Sequence, residues 1–267
     1  MIITEQDSLY NNLEEMTFIE IIKSINNEDQ KIAKAVKKTT EKISVLSEKV
    51  FEKINGGGRL FYIGSGTSGR LGILDASECP PTFGVKKNLV IGLIAGGDKA
   101  IRNATEHAED DLESGWKNLK KYNITNKDIV IGISASGTTP YVLEALKKCR
   151  KNQIITGSIT CNKTNPISKI SNYDIKIILG PEFLTGSTRM KAGTAQKMCL
   201  NMITTSVFIK LGHVLDNKMI DMKINNQKLK KRALKLIIEK TSLKKQQAEK
   251  MLNKYKSARL VIEQSKK

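Results

Sequence analysis

The sequence predicts an α/β protein: a doubly wound, mainly parallel five-stranded sheet with flanking helices, followed by a small C-terminal helical appendage. Three observations predict it. Five short apolar runs recur along the chain, separated by stretches of helical periodicity. The runs are apolar at successive positions and do not alternate, which suits strands buried on both faces of a parallel sheet. At 267 residues, 39% hydrophobic and 5% aromatic, the chain is long enough for one large domain of this kind plus a helical addition.

The elements follow in order. Residues 1–58 read as helices packing on the core. After a polar lead come "TFIEIIKSIN" (17–26) and "EDQKIAKAVKKTTEKISVLSEKVFEKIN" (28–55), in which Ile32, Val36, Ile43, Leu46, Val50 and Ile54 recur at mostly helical spacing. Asn55 and Gly56–Gly58 stop the second. Residues 59–215 form the main domain. Its strand candidates are "RLFYIG" (59–64), "LVIGLIA" (89–95), "DIVIGIS" (128–134), "QIITGSIT" (153–160) and "DIKIIL" (174–179), which imply a doubly wound sheet of flavodoxin-like type. "TRMKAGTAQKMCLNMITTSVFIKLG" reads as a long helix ending at Gly212, opened by Ser187 and Thr188 with Arg189 and Lys191 in its first turn. Residues 216–267 read as two or three short basic helices, one capped at Thr241 or Ser242.

Composition excludes several classes. The longest apolar runs are strand-sized, far short of the ~20 residues of a membrane helix. No basic segment followed by an apolar stretch opens the chain, so a cytoplasmic protein without membrane attachment is expected. The cysteines Cys79, Cys149, Cys161 and Cys199 show no paired spacing, and His107 and His213 lie far apart, so no metal site is expected. The net charge of +18 suggests nucleic acid until it is mapped. Residues 217–267 carry 16 Lys/Arg against 4 Asp/Glu, a net of +12 that leaves +6 for the rest. The excess belongs to the tail, where a solvated basic face is the simpler account and a nucleic-acid partner is not expected.

The chemistry concentrates in "LFYIGSGTSGRLG" (60–72). Gly64, Gly66 and Gly69 spell the dinucleotide pattern G-x-G-x-x-G, and the stretch is a near-miss of the P-loop. The P-loop reading fails because Arg70 and Leu71 stand where Lys and Ser/Thr are required. The dinucleotide reading lacks the ribose-binding acid: Asp75 comes too early and Asp98 too late. A second loop, "GISASGTTP" (132–140), leaves another strand with Ser134, Ser136, Thr138 and Thr139 around Gly137. One such turn could be simple capping. Two on one sheet edge, each opening a helix, supply O–H and N–H donors to a single anion, and a sugar monophosphate fits best.

"GSGTSGRLGILDASECPPTFG" (64–84), "GLIAGGDKAI" (92–101), "AEDD" (108–111), "ISASGTTPYV" (133–142) and "LTGSTRMKAGTAQK" (184–197) resemble the N-acetylmuramic acid 6-phosphate etherases. These belong to the sugar isomerase (SIS) domain superfamily, with the glucokinase regulatory protein. The resemblance runs from about Ile3 to Lys256. It implies an SIS-type sheet and a cofactor-free lyase acting on an amino-sugar phosphate, with neither metal nor organic cofactor. The reaction turns N-acetylmuramic acid 6-phosphate and water into N-acetylglucosamine 6-phosphate and D-lactate. It also implies a homodimer with the site near the interface. Ser68, Ser134, Ser136 and Thr139 would hold the phosphate with Thr67 supporting the first turn, and the catalytic acids would be Glu78 and Glu109.

The chemistry of such a cleavage needs two carboxyl groups. Opening the sugar ring exposes the C1 aldehyde, which acidifies the C2 proton; lactate leaves C3 as its oxygen is protonated; water then adds at C3. One group acts as base at C2, here assigned to Glu109, and one as acid at C3, assigned to Glu78. An arbitrary glutamate is usually a surface carboxylate. Glu78 stands apart because it precedes Pro80–Pro81, where a helix is not expected to continue and a rigid junction is expected instead. Arg189 and Lys191, with Ser187, would meet the lactyl carboxylate or the glutamates, since cations at a helix start oppose its dipole. A sugar-phosphate isomerase would share the phosphate loops but needs no acid at C3. A sugar-phosphate-sensing regulator would carry a DNA-binding domain, for which the first 58 residues offer too little room.

Overall fold

The computed structural model describes residues 2–105 and 107–265. Thr17 and Glu20 form a capping box that starts α1 (Phe18–Lys37). The two sequence-read helices are divided differently from expectation. The chain stays helical through Asn26–Glu28 and breaks at Lys38–Thr39, where the Thr39 hydroxyl donates to the Val36 carbonyl at 2.8 Å before α2 (Thr40–Asn55) begins.

From there strands and helices alternate: β1 (Leu60–Gly64), α3 (Gly66–Phe83), β2 (Val90–Ile94), α4 (Lys99–Arg102), α5 (Ser114–Lys120), β3 (Ile129–Ile133), α6 (Pro140–Lys151), β4 (Ile155–Thr160), α7 (Pro166–Ile170) and β5 (Tyr173–Lys176). All five strands are parallel, in the order β2-β1-β3-β4-β5. The expected doubly wound sheet is present. Right-handed crossovers explain the layers: β1 to β2 runs one way along the sheet and β3 to β4 to β5 the other, so their helices fall on opposite faces. Leu60 and Tyr62 accordingly join the core beneath α1, α2, α3 and α8 (Lys191–Lys210), while Phe61 and Ile63 join the core beneath α5, α6 and α7. Bidentate pairing of Arg59 with buried Asp128, both bonds 3.0 Å, ties the starts of β1 and β3 together.

Two helix boundaries correct the sequence reading. Helix α3 continues through Pro80 and Pro81 to Phe83, so Glu78 sits inside a helix and not at a junction before the prolines. The prolines fall in the last turn, where only the Ala76 and Ser77 carbonyls lose their helical donors, and Gly84 closes the helix in the left-handed conformation with its N–H on the Pro80 carbonyl. Helix α8 starts at Lys191, leaving Ser187, Thr188 and Arg189 in the turn before it. The cap comes from Glu182, whose buried carboxylate accepts the N–H groups of Lys191 and Ala192, both at 2.9 Å.

Beyond α8, a hairpin of β6 (Val214–Leu215) and β7 (Lys218–Met219) leads to three helices, α9 (Gln227–Lys240), α10 (Lys245–Tyr255) and α11 (Ala258–Gln264), with a core of their own. Neither Thr241 nor Ser242 caps α10: it opens at Lys244–Lys245, and the Thr241 hydroxyl instead donates to Ile237 of α9. Asp221 fastens this unit, taking two bonds of 2.6 Å from Arg259 and one of 2.8 Å from His213.

Candidate functional site

Strands β1 and β3 are neighbours, with Gly64 opposite Ile133 at their carboxyl ends. The chain leaves β1 for one edge of the sheet and β3 for the other, so the two hydroxyl loops diverge at the topological switch point, where ligands of open α/β sheets bind. The first loop turns directly into α3 at Gly66, with positive φ. Gly64 cannot be replaced, because a Cβ there would lie 2.7 Å from the Gly69 nitrogen.

In the second loop the hydroxyls organise one another. Buried Ser134 Oγ accepts the Gly137 N–H at 3.0 Å and lies 2.8 Å from Thr139 Oγ1, while Ser136 Oγ accepts from the Thr138 N–H and hydroxyl. Asn162, just after β4, donates to the Ala135 and Ser136 carbonyls, and its oxygen accepts the Ile3 N–H. Asn165 packs where a Gly137 side chain would stand. The amino-terminal lead thus lies against this loop, with Ser8 Oγ reaching the Phe183 carbonyl at 2.6 Å. Asn162 and Asn165 were not singled out from sequence; their position after a strand one place along from β3 was the signal.

The first turn of α8 covers the first loop. Gly193 stands so near that a Cβ would meet Thr67 Cγ2 at 3.2 Å, and Ser68 bonds to Gln196 at 2.9 Å. Thr67, Ser68, Ser134, Ser136 and Thr139 therefore share one edge of the sheet. Lys191 does not face this edge as an available cation: it is buried, its Nζ 2.6 Å from buried Glu28 of α1. Ser187 is half-buried, and Arg189 is exposed without an acidic partner among the described residues. Glu109 lies in the segment that runs from the carboxyl end of β2 to the start of α5, where Gly115 stands against the Tyr141 carbonyl at the start of α6, so it belongs to the loop edge. Glu78 does not. It is exposed on α3, ten residues past Ser68, about 15 Å along the axis toward the opposite edge.

Between α3 and α8, Asp75 is buried with the Thr204 hydroxyl donating to it at 3.1 Å. Burial pushes its carboxyl up to about 6, held back by the nearby Tyr62 and Thr204 hydroxyls. All four cysteines are buried and free. Among the described residues no group of three or more His, Cys, Asp or Glu is placed to hold a metal ion, and no helix is long and apolar enough to cross a membrane.

Comparison with known proteins now bears on this edge. Residues 38–150 match the glucokinase regulatory protein N-terminal SIS domain, and residues 104–206 match the SIS domain. The N-acetylmuramic acid 6-phosphate etherase of Christiangramia forsetii is 56% identical over 263 residues, covering 98% of this chain and 96% of its own. The chain belongs to the N-acetylmuramic acid 6-phosphate etherase family. The etherase of Bacteroides thetaiotaomicron is 51% identical over 98% of this chain and 94% of its own. Among solved structures, the phosphoheptose isomerase GmhA of Neisseria gonorrhoeae shares the fold, with a TM-score of 0.55 at 16% identity over 72% of this chain and 98% of that one. So does a phosphoheptose isomerase from Francisella tularensis, with a TM-score of 0.54 at 17% identity over 71% of this chain and 100% of that one.

Proposed function

We propose that this chain cleaves the D-lactyl ether of N-acetylmuramic acid 6-phosphate to N-acetylglucosamine 6-phosphate and D-lactate, as a carbon–oxygen lyase of peptidoglycan recycling. One observation carries the reading. In a chain 56% identical to an etherase, two hydroxyl-lined loops and Glu109 occupy one edge of the sheet. The phosphate binds Ser68, Ser134, Ser136 and Thr139 and the start of α3, whose dipole and free N–H groups favour an anion. Glu109 takes the C2 proton of the ring-opened sugar. Lactate then leaves from C3 as Glu78 protonates its oxygen, and the same group activates the water that adds there. Exposed Arg189 meets the lactyl carboxylate. A phosphorylated sugar does not leave the compartment where it was phosphorylated, which favours the cytoplasm.

Within one chain Glu78 lies toward the opposite edge of the sheet from Glu109 and the two loops, so the reading takes a homodimer in which one protomer lends its Glu78 to its partner's phosphate loops. The test is lactate release by wild type, Glu78→Gln, Glu109→Gln and an equilibrated mixture of the two variants. Each variant alone is expected to be inactive. In a shared site half of the mixed dimers are hybrids with one intact site in two, so the mixture recovers roughly a quarter of wild-type activity. No lactate from the wild type refutes the etherase reading; no recovery on mixing refutes the shared site.

A further inference from the structure

Ser68 and Gln196 form a buried side-chain bond between the phosphate loop and α8, 8% and 1% exposed respectively. Ser68 Oγ lies 2.9 Å from Gln196 Oε1 and donates to it. The other end of that amide, Nε2, is buried and has no partner among the described residues. Both facts are costly for a phosphate site. A serine hydroxyl has a single proton. Committed to Gln196, it leaves Ser68 with only lone pairs to present to a phosphate oxygen, and a buried amide donor goes unused.

Rotating the amide end for end answers both. The carbonyl and amino ends are nearly the same size, so the exchange needs no new space. Nε2 then donates to Ser68 Oγ, and the hydroxyl proton is released toward the ligand. The carbonyl left behind is the group that tolerates an incomplete complement of bonds more readily than an N–H does. The neighbouring turn of α8 is fixed independently: Glu182 caps it through Lys191 and Ala192, Lys191 is tied to Glu28, and Gly193 rests on Thr67. Gln196 is therefore held over the loop with the rotation of its terminal amide as the remaining freedom.

We infer that Gln196 is a positioning residue for the phosphate, acting through Ser68 by setting which way that hydroxyl points. With a phosphate bound, its nitrogen donates to Ser68 and the serine donates to the phosphate. Gln196 itself touches no substrate. This assignment rests on the proposal that Ser68 holds the phosphate.

The test is a double-mutant cycle of Gln196→Met and Ser68→Ala, reading kcat, KM and competitive inhibition by inorganic phosphate. Methionine keeps the volume and neither donates nor accepts. Gln196→Met is expected to raise KM and the phosphate inhibition constant together, about tenfold, the scale of one charge-assisted hydrogen bond, with kcat within about twofold. In the Ser68→Ala background the same change is expected to have less than about a twofold effect, because its target is gone. A fall in kcat at unchanged KM, or an undiminished KM rise without Ser68, overturns the inference. Should Gln196→Met fold poorly, Gln196→Leu likewise neither donates nor accepts and adds no charge beside the phosphate; its KM rise is expected to depend on Ser68 in the same way, and independence overturns the inference equally. If the wild type releases no lactate, the etherase reading falls alone: calorimetric titration of the same four proteins with inorganic phosphate still decides the role of Gln196.

Discussion

Replacing Asp75 by asparagine is expected to stabilise the protein at neutral pH and to do so by a pH-dependent amount. Asp75 accepts the Thr204 hydroxyl through Oδ1, while Oδ2 is buried without a partner among the described residues. Burial raises its carboxyl from 3.8 to about 6. The folded protein therefore keeps a proton that the unfolded chain gives up, and stability falls as pH rises from about 4 to about 6. Below that window the penalty is absent; above it the penalty is complete. At about 1.4 kcal/mol per pKa unit, the displacement corresponds to roughly 3 kcal/mol. Asparagine has the same shape, keeps an acceptor for Thr204 and carries no charge. Urea unfolding of both proteins between pH 4 and 8 gives the comparison, since every other titrating group cancels in the difference. The variant should match the wild type near pH 4 and exceed it by roughly 3 kcal/mol at pH 8. A difference that does not change with pH, or a variant that is less stable at pH 8, refutes the reasoning.

Three further outcomes follow from particular contacts. Glu28→Ala strands the buried Lys191 ammonium and should cost about 3–5 kcal/mol in urea unfolding; a cost below about 1 kcal/mol would show that the pair is solvated. Gly84→Ala places a Cβ 2.1 Å from the Asp221 carbonyl oxygen, at a residue with φ of +71°, so the C-terminal helices should loosen and be cut by protease before the sheet domain. Simultaneous cleavage of both parts would contradict this. Ser134→Ala removes the hydroxyl that folds the second loop and should raise KM at least about tenfold, with a loss of stability of about 1–3 kcal/mol because the buried Gly137 N–H is left without its acceptor; an unchanged KM would remove Ser134 from the phosphate site.

The sheet was legible in the sequence because strands buried on both faces are apolar at every position, and chirality then fixes which helices cover which face. The two hydroxyl loops were legible because Ser, Thr and Gly cluster where β1 and β3 end. The boundaries that were misread share a physical cause. A proline in the last turn forfeits the bond to the carbonyl four positions back but leaves the preceding turns intact, so α3 runs on through Pro80 and Pro81 to Phe83 where a break was expected. The start of α8 is set by Glu182, nine residues upstream, a cap that no local pattern announces. Gln196 lay within a stretch already recognised as distinctive, yet a neutral amide carries no sequence mark of its partner. Glu109 and Glu78 were placed by resemblance, and spacing alone says nothing of their lying toward opposite edges of the sheet.

The clasp between the amino-terminal lead and the second loop has a consequence for synthesis. Ile3 and Ser8 leave the ribosome more than 150 residues ahead of their partners Asn162, Phe183 and Thr185. Most of the sheet domain can therefore be translated while the lead has nothing to close on, and the loop bearing Ser136 is braced only once Asn162 has been made. Assembly of the anion-binding edge is thus a late event on the nascent chain, gated by the arrival of β4 and the segment after β5, and the shape of the site is withheld until the domain around it is nearly whole.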